Sequence, residues 1–72
     1  MNSEIERGEQ MQILLYKLRK EKGISQEEMA KIINKSTNSY RDKELGKRDF
    51  TQSEMFKIAS FFKKELGEIF TP

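Results

Sequence analysis

Residues 25–34 read Ser25-Gln26-Glu27-Glu28-Met29-Ala30-Lys31-Ile32-Ile33-Asn34, and residues 35–46 continue Lys35-Ser36-Thr37-Asn38-Ser39-Tyr40-Arg41-Asp42-Lys43-Glu44-Leu45-Gly46. This stretch carries the punctuation of two short helices and a turn. Ser25 and Glu28 form a capping box, in which the hydroxyl takes one orphan amide of the new helix and the carboxylate reaches back to the cap. The helix they open is expected from Gln26 to about Ile33. Asn34 follows, and asparagine is the side-chain-bearing residue that best tolerates a positive φ. Ser36 is the next cap and Gly46 the left-handed terminator, which predicts a short polar helix over about residues 37–45. Two such helices joined by a tight turn have the helix-turn-helix geometry, in which the second helix is presented to the major groove of DNA. Ala30 supplies the small side chain needed where the helices cross, and Tyr40 the anchor facing the first helix. The helical spacing then leaves Thr37, Asn38, Arg41 and Asp42 on a contiguous outer face, with hydrogen-bonding ends suited to base edges.

The same periodicity extends outward on both sides. From Gln10 to about Lys22, Met11, Leu14, Leu15 and Leu18 recur at spacings of three and four, the stripe of an amphipathic helix that Gly23 ends. After the connection Lys47-Arg48-Asp49-Phe50, Thr51 and Glu54 repeat the capping box. Met55, Ile58, Ala59 and Phe62 then repeat the stripe to a helix end near Lys63. A last turn over Leu66 to Phe70 is expected despite Glu65, a poor cap, and Gly67. The predicted fold class is therefore all-α, a compact bundle of five short helices. The domain spans residues 10–70, behind a flexible acidic tail at residues 1–9.

Composition narrows the chemistry. With 72 residues the chain makes one domain at most, and the absence of Cys and His removes thiolate and imidazole ligands, disulfides and catalytic triads. No metal, cofactor, small-molecule substrate or enzymatic activity is expected. The acidic start, Met-Asn-Ser-Glu-Ile-Glu, does not resemble a signal peptide, and no apolar run has the length of a membrane span, so a cytoplasmic chain without a membrane partner is expected. The net charge is only +2, but basic residues concentrate in Lys17, Arg19, Lys20 and Lys22, and again between Arg41 and Arg48. Charge alone points weakly to an anionic partner.

The ordered set Leu18-Arg19, Gly23 through Ala30, Glu44 through Arg48, Lys57-Ile58-Ala59 and Glu68-Ile69-Phe70 resembles the phage-repressor or Cro/CI-type helix-turn-helix family, also called lambda-repressor-like. The pattern aligns without a gap over roughly residues 11 to 70. The resemblance implies a lambda-repressor-like DNA-binding domain and assigns roles by position. Gln26 matches a residue that donates to phosphate. Thr37, Asn38 and Asp42 match base-facing positions, with Arg41 placed for guanine or backbone. Lys47 and Arg48 match a loop that grips phosphate. Arg19 and Glu44 match a partly buried ion pair joining the first helix to the end of the third. The chain departs from the pattern at Lys43, where an apolar residue usually packs the third helix on the core, so that either its methylene stem covers that spot or Leu45 turns inward, and at Lys35, which replaces an apolar turn residue and either adds a phosphate contact or loosens the turn.

The function implied is a sequence-specific DNA-binding transcriptional regulator, a small prokaryotic or phage-type repressor acting by operator occupancy. The alternative is a protein-interaction module of the same fold, an antirepressor or toxin–antitoxin component, favoured by Asp42, Glu44 and the low net charge. A homodimer on double-stranded DNA is expected, because one small module buries little DNA surface. The candidate dimer surface is C-terminal, at Phe61, Ile69 and Phe70.

Overall fold

The computed structural model describes residues 11–70. The acidic tail expected at residues 1–9 lies outside the described residues, as does Gln10. Among the described residues there are five helices and no strand: α1 Ile13–Glu21, α2 Gln26–Ile32, α3 Thr37–Leu45, α4 Gln52–Phe62 and α5 Leu66–Ile69. None is long and apolar enough to cross a membrane.

Local chemistry accounts for most boundaries. Ser25 and Thr51 accept from the amides of Glu28 and Glu54, whose carboxylates accept from the cap amides in return. Ser36 accepts from the Ser39 amide to open α3. At α5 the Glu68 carboxylate alone does this work, accepting from the Glu65 amide at 2.8 Å.

The four longer helices all stop in the same way. A residue with positive φ, Gly23, Asn34, Gly46 or Lys63, is followed by an amide that reaches back to the helix. Ile24 donates to the Arg19 carbonyl, Lys35 to Ala30, Lys47 to Asp42 and Lys64 to Ala59, at 2.9 to 3.1 Å. These six-to-one bonds satisfy carbonyls that the helix ends would otherwise leave unpaired. Asn34 and Lys63, at φ 61 and 57, are the two non-glycine terminators, and Lys63 lacks the short polar side chain that lets asparagine offset the steric cost of this conformation.

Two expectations are corrected at α1. The helix begins at Ile13 rather than Gln10, because the Gln12 amide donates 2.9 Å to the Glu44 carbonyl and the chain enters at φ −79, ψ 82. With Met11 off the helix, the inward face is set by Leu15, Leu18 and Arg19, and Leu14 turns out to solvent. The core gathers Leu15, Leu18, Met29, Ala30, Ile33, Tyr40, Ile58, Ala59 and Ile69. Phe50 stands edge-on between Tyr40 and Phe70, with ring centroids 5.9 and 5.3 Å away. Of the residues expected at a dimer surface, Ile69 is thus fully buried within the one chain and Phe70 is half-buried against the core. Phe61 remains exposed.

Candidate nucleic-acid interface

Among the described residues, helices α2 and α3 make the most extensive interhelical contact. Ala30 is buried on α2 and Tyr40 is fully buried on the inner face of α3. Asn34 holds the turn at φ 61. At 100° per residue, Tyr40, Lys43 and Glu44 occupy one side of α3, while Thr37, Asn38, Arg41 and Asp42 share a roughly 140° arc on the other. Burial follows this division: Thr37, Asn38 and Arg41 are exposed and Asp42 half-buried. The Arg41 guanidinium lies 3.9 Å from the Asp42 carboxylate, a surface contact that leaves both free to turn toward a ligand.

Glu44 is the hub behind this face. Its carboxylate accepts from Arg19 Nε at 2.8 Å and a second Arg19 nitrogen at 3.2 Å, from Tyr40 Oη at 2.7 Å and from Gln26 Nε2 at 3.1 Å. Arg19 also donates to the Ile24 carbonyl and lies over the Tyr16 ring. Three helices, α1, α2 and α3, are therefore tied through one carboxylate, and the pairing of Arg19 with Glu44 expected from the sequence is present. Burial works against the Arg19 charge, yet the bond and charge of Glu44 outweigh it and hold the guanidinium above its ordinary value. Burial, followed by the bond to Glu44, raises the Tyr40 hydroxyl well above the usual phenol range, which keeps it a donor.

The bond from Gln26 qualifies its expected role. A carboxylate only accepts, so the amide nitrogen of Gln26 must face Glu44, and its second N–H remains to donate to a phosphate. Half-buried Gln26 at the first turn of α2 thus links an outward position to the buried hub. Lys35, Lys47 and Arg48 are exposed. The Lys47 and Arg48 amides converge on the Asp42 carbonyl, which seats their connection against the end of α3.

Sequence reasoning missed the partner of Lys43. The Lys43 ammonium is buried and donates to both oxygens of Glu54, at 2.7 and 2.8 Å. Burial pushes the Glu54 carboxyl up, but the Lys43 bond, the Thr51 amide and the charges of Lys43 and Lys35 outweigh it, leaving the group below its ordinary range. The signal was present in the pattern, since a lysine at an inward helical position requires an acidic partner and Glu54 was already placed at the next helix start. Every buried side-chain nitrogen and oxygen among the described residues has a partner. Lys57 was also passed over; it lines a crevice with Lys35, Thr51 and Ser53 beside the turn.

Two helices crossing at a small residue, a left-handed turn and an outward polar face on the second helix define a helix-turn-helix domain. The chain belongs to the Cro/CI-type, lambda-repressor-like branch of that class: the family model described as helix-turn-helix matches residues 15–69. No curated protein and no solved structure matches the chain. Membership implies DNA binding, and the family is typically non-enzymatic.

Proposed function

We propose that the protein is a sequence-specific transcriptional regulator that acts by occupying an operator, with α3 in the major groove. The observation that carries this reading is the division of α3 into a buried polar side, locked by Glu44 and Lys43, and an outward arc with no core contacts to lose. In this reading Asn38 pairs with adenine, Thr37 meets a thymine methyl or phosphate, Asp42 accepts from cytosine and Arg41 reaches guanine or backbone. Gln26, Lys35, Lys47 and Arg48 hold phosphates and fix the register. Burial also weakens the case for a DNA face retired to protein interaction. Glu44 is buried and paired with Arg19, so it presents no unpaired negative charge to the groove, and of the two acidic residues behind that alternative only Asp42 stays on the outward arc.

Two copies are proposed to occupy half-sites one helical turn apart. Phe61, whose ring stands T-shaped to that of Phe62, is offered for their contact; it is exposed, as is Phe56 on the same helix.

The test is fluorescence anisotropy on a randomised duplex library at two salt concentrations, with bound duplexes sequenced. Binding is expected to weaken steeply with salt and to select a site, and the half-site spacing reports the number of copies. Lys47→Ala is expected to weaken all sequences alike and lower the salt slope by about one. Asn38→Ala is expected to lose about 1–3 kcal/mol of discrimination at one base pair. Salt-independent or undetectable binding would overturn the proposal in favour of the interaction module.

A further inference from the structure

The family pattern explains Arg19 and Glu44 but not Lys43, which stands where an apolar side chain would ordinarily pack. On the helical wheel of α3, Lys43 lies almost diametrically opposite the centre of the arc formed by Thr37, Asn38, Arg41 and Asp42. Its partner Glu54 is in the first turn of α4, and both side chains are about 5% exposed. Between them runs the connection that carries Lys47 and Arg48, both exposed. That connection is fastened at its start by the Lys47 and Arg48 amides on the Asp42 carbonyl, and at its end by the Thr51 amide on Glu54 Oε1. The bridge therefore closes the base of the segment that would grip phosphate, behind the helix that would read bases.

Stability alone gives little reason for charge here, because a buried ion pair commonly adds no more than an apolar pair of the same volume. Geometry gives a reason. An apolar contact is non-directional and lets a helix roll or slide, whereas an ammonium on two carboxylate oxygens restricts both distance and direction. We infer that Lys43 and Glu54 are positioning residues for DNA recognition, whose bridge holds Lys47 and Arg48 in register with the base-facing side of α3. The inference rests on the function proposed above. Neither residue touches DNA in this arrangement; both act through the connection they close.

The experiment compares the full chain with Lys43→Met/Glu54→Gln, which removes both charges and keeps a side-chain carbonyl for the Thr51 amide. Lys43→Arg, which retains a two-oxygen bridge, is the conservative control. By amide hydrogen exchange without DNA, the Lys47 and Arg48 amides of the double variant are expected to exchange about tenfold faster, while core amides of α2 and α4 keep their protection. On the best duplex selected from the randomised library against a scrambled duplex, the affinity ratio is expected to fall about tenfold. Binding to the scrambled duplex should stay the same. Lys43→Arg should keep the wild-type ratio, and Lys43→Gln, which shortens the bridge but leaves the α4 cap untouched, should lower it about threefold.

A merely structural role would lower binding to the selected and the scrambled duplex together, in proportion to the folded fraction, and leave their ratio unchanged. A double variant or Lys43→Gln with wild-type loop exchange or an unchanged ratio overturns the positioning role alone. A wild-type chain without salt-dependent duplex binding overturns the proposed function and this inference with it.

Discussion

Two buried ion pairs flank α3, and they are built differently. Glu44 is saturated: Arg19, Tyr40 and Gln26 reach it from α1, from its own helix and from α2. Glu54 has a single charged bond partner, Lys43, and otherwise accepts from the Thr51 amide of its own cap. The first pair is a junction of three helices, so its loss leaves several groups stranded at once. The second is a strut between two elements, and its carboxylate keeps a local donor if the lysine is removed. Burying charge is tolerated in both, but redundancy of partners decides how the rest of the molecule feels a substitution.

The largest expected effect is at the junction. Arg19→Met leaves Glu44 buried without its counter-charge and should destabilise the fold by about 3–5 kcal/mol in urea unfolding, enough to threaten a domain of this size. A loss below that of Lys43→Met would reverse the contrast.

Lys43→Met is expected to cost about 2 kcal/mol near neutral pH, since Glu54 retains the Thr51 amide and its place at a helix N-terminus. The pH dependence distinguishes it. In the wild type Glu54 lies below its ordinary value of 4.5, so the folded chain binds that proton less readily than the unfolded chain. This contribution is complete above that value and is lost as pH falls through the folded-state value. In Lys43→Met the principal lowering influence is gone and burial pushes the carboxyl up, so the gap between variant and wild type should narrow with acid. Urea midpoints from about pH 3 to about pH 7 would show it. A constant gap would mean that Glu54 is not the partner that matters.

Tyr40→Phe tests redundancy directly. It removes one of the donors to Glu44 and leaves Arg19 and Gln26, so the loss should be about 1 kcal/mol in the same assay. Combined with Arg19→Met, the effect should be non-additive, because both act on one carboxylate.

The smallest effect is a control. Lys63→Gly relieves a left-handed φ of 57 and is expected to raise stability by about 0.5 kcal/mol. Nine residues along α4 separate it from Glu54, roughly 13 Å, so the gain should be the same in the Arg19→Met and Lys43→Met backgrounds.

What the sequence disclosed follows the range of the forces involved. The caps at Ser25, Ser36 and Thr51, the turn at Asn34 and the end at Gly46 each depend on residues three or four positions away, and all appear as read. The span of α3 and its outward arc follow from those local signals. Leu14 and Ile69 were misplaced because stripes record periodicity but not which flank meets a neighbour. The start of α1 depends on a bond from Gln12 to Glu44 that has no local signature, and the role of Lys43 on a partner across a connection, which its inward position signals but its own helix does not name. Lys63 as a left-handed terminator has no local signature, since nothing about lysine favours that conformation.

The separation of the two sides of α3 also bears on how such a protein diversifies. Thr37, Asn38 and Arg41 are exposed and make no bond to the core, so exchanging them costs little folding energy. A lineage can therefore explore new target sequences through these positions while the scaffold stays under constant selection for solidity. Drift in what is read and conservatism in what holds the reader are then independent, and both are written into a single nine-residue helix.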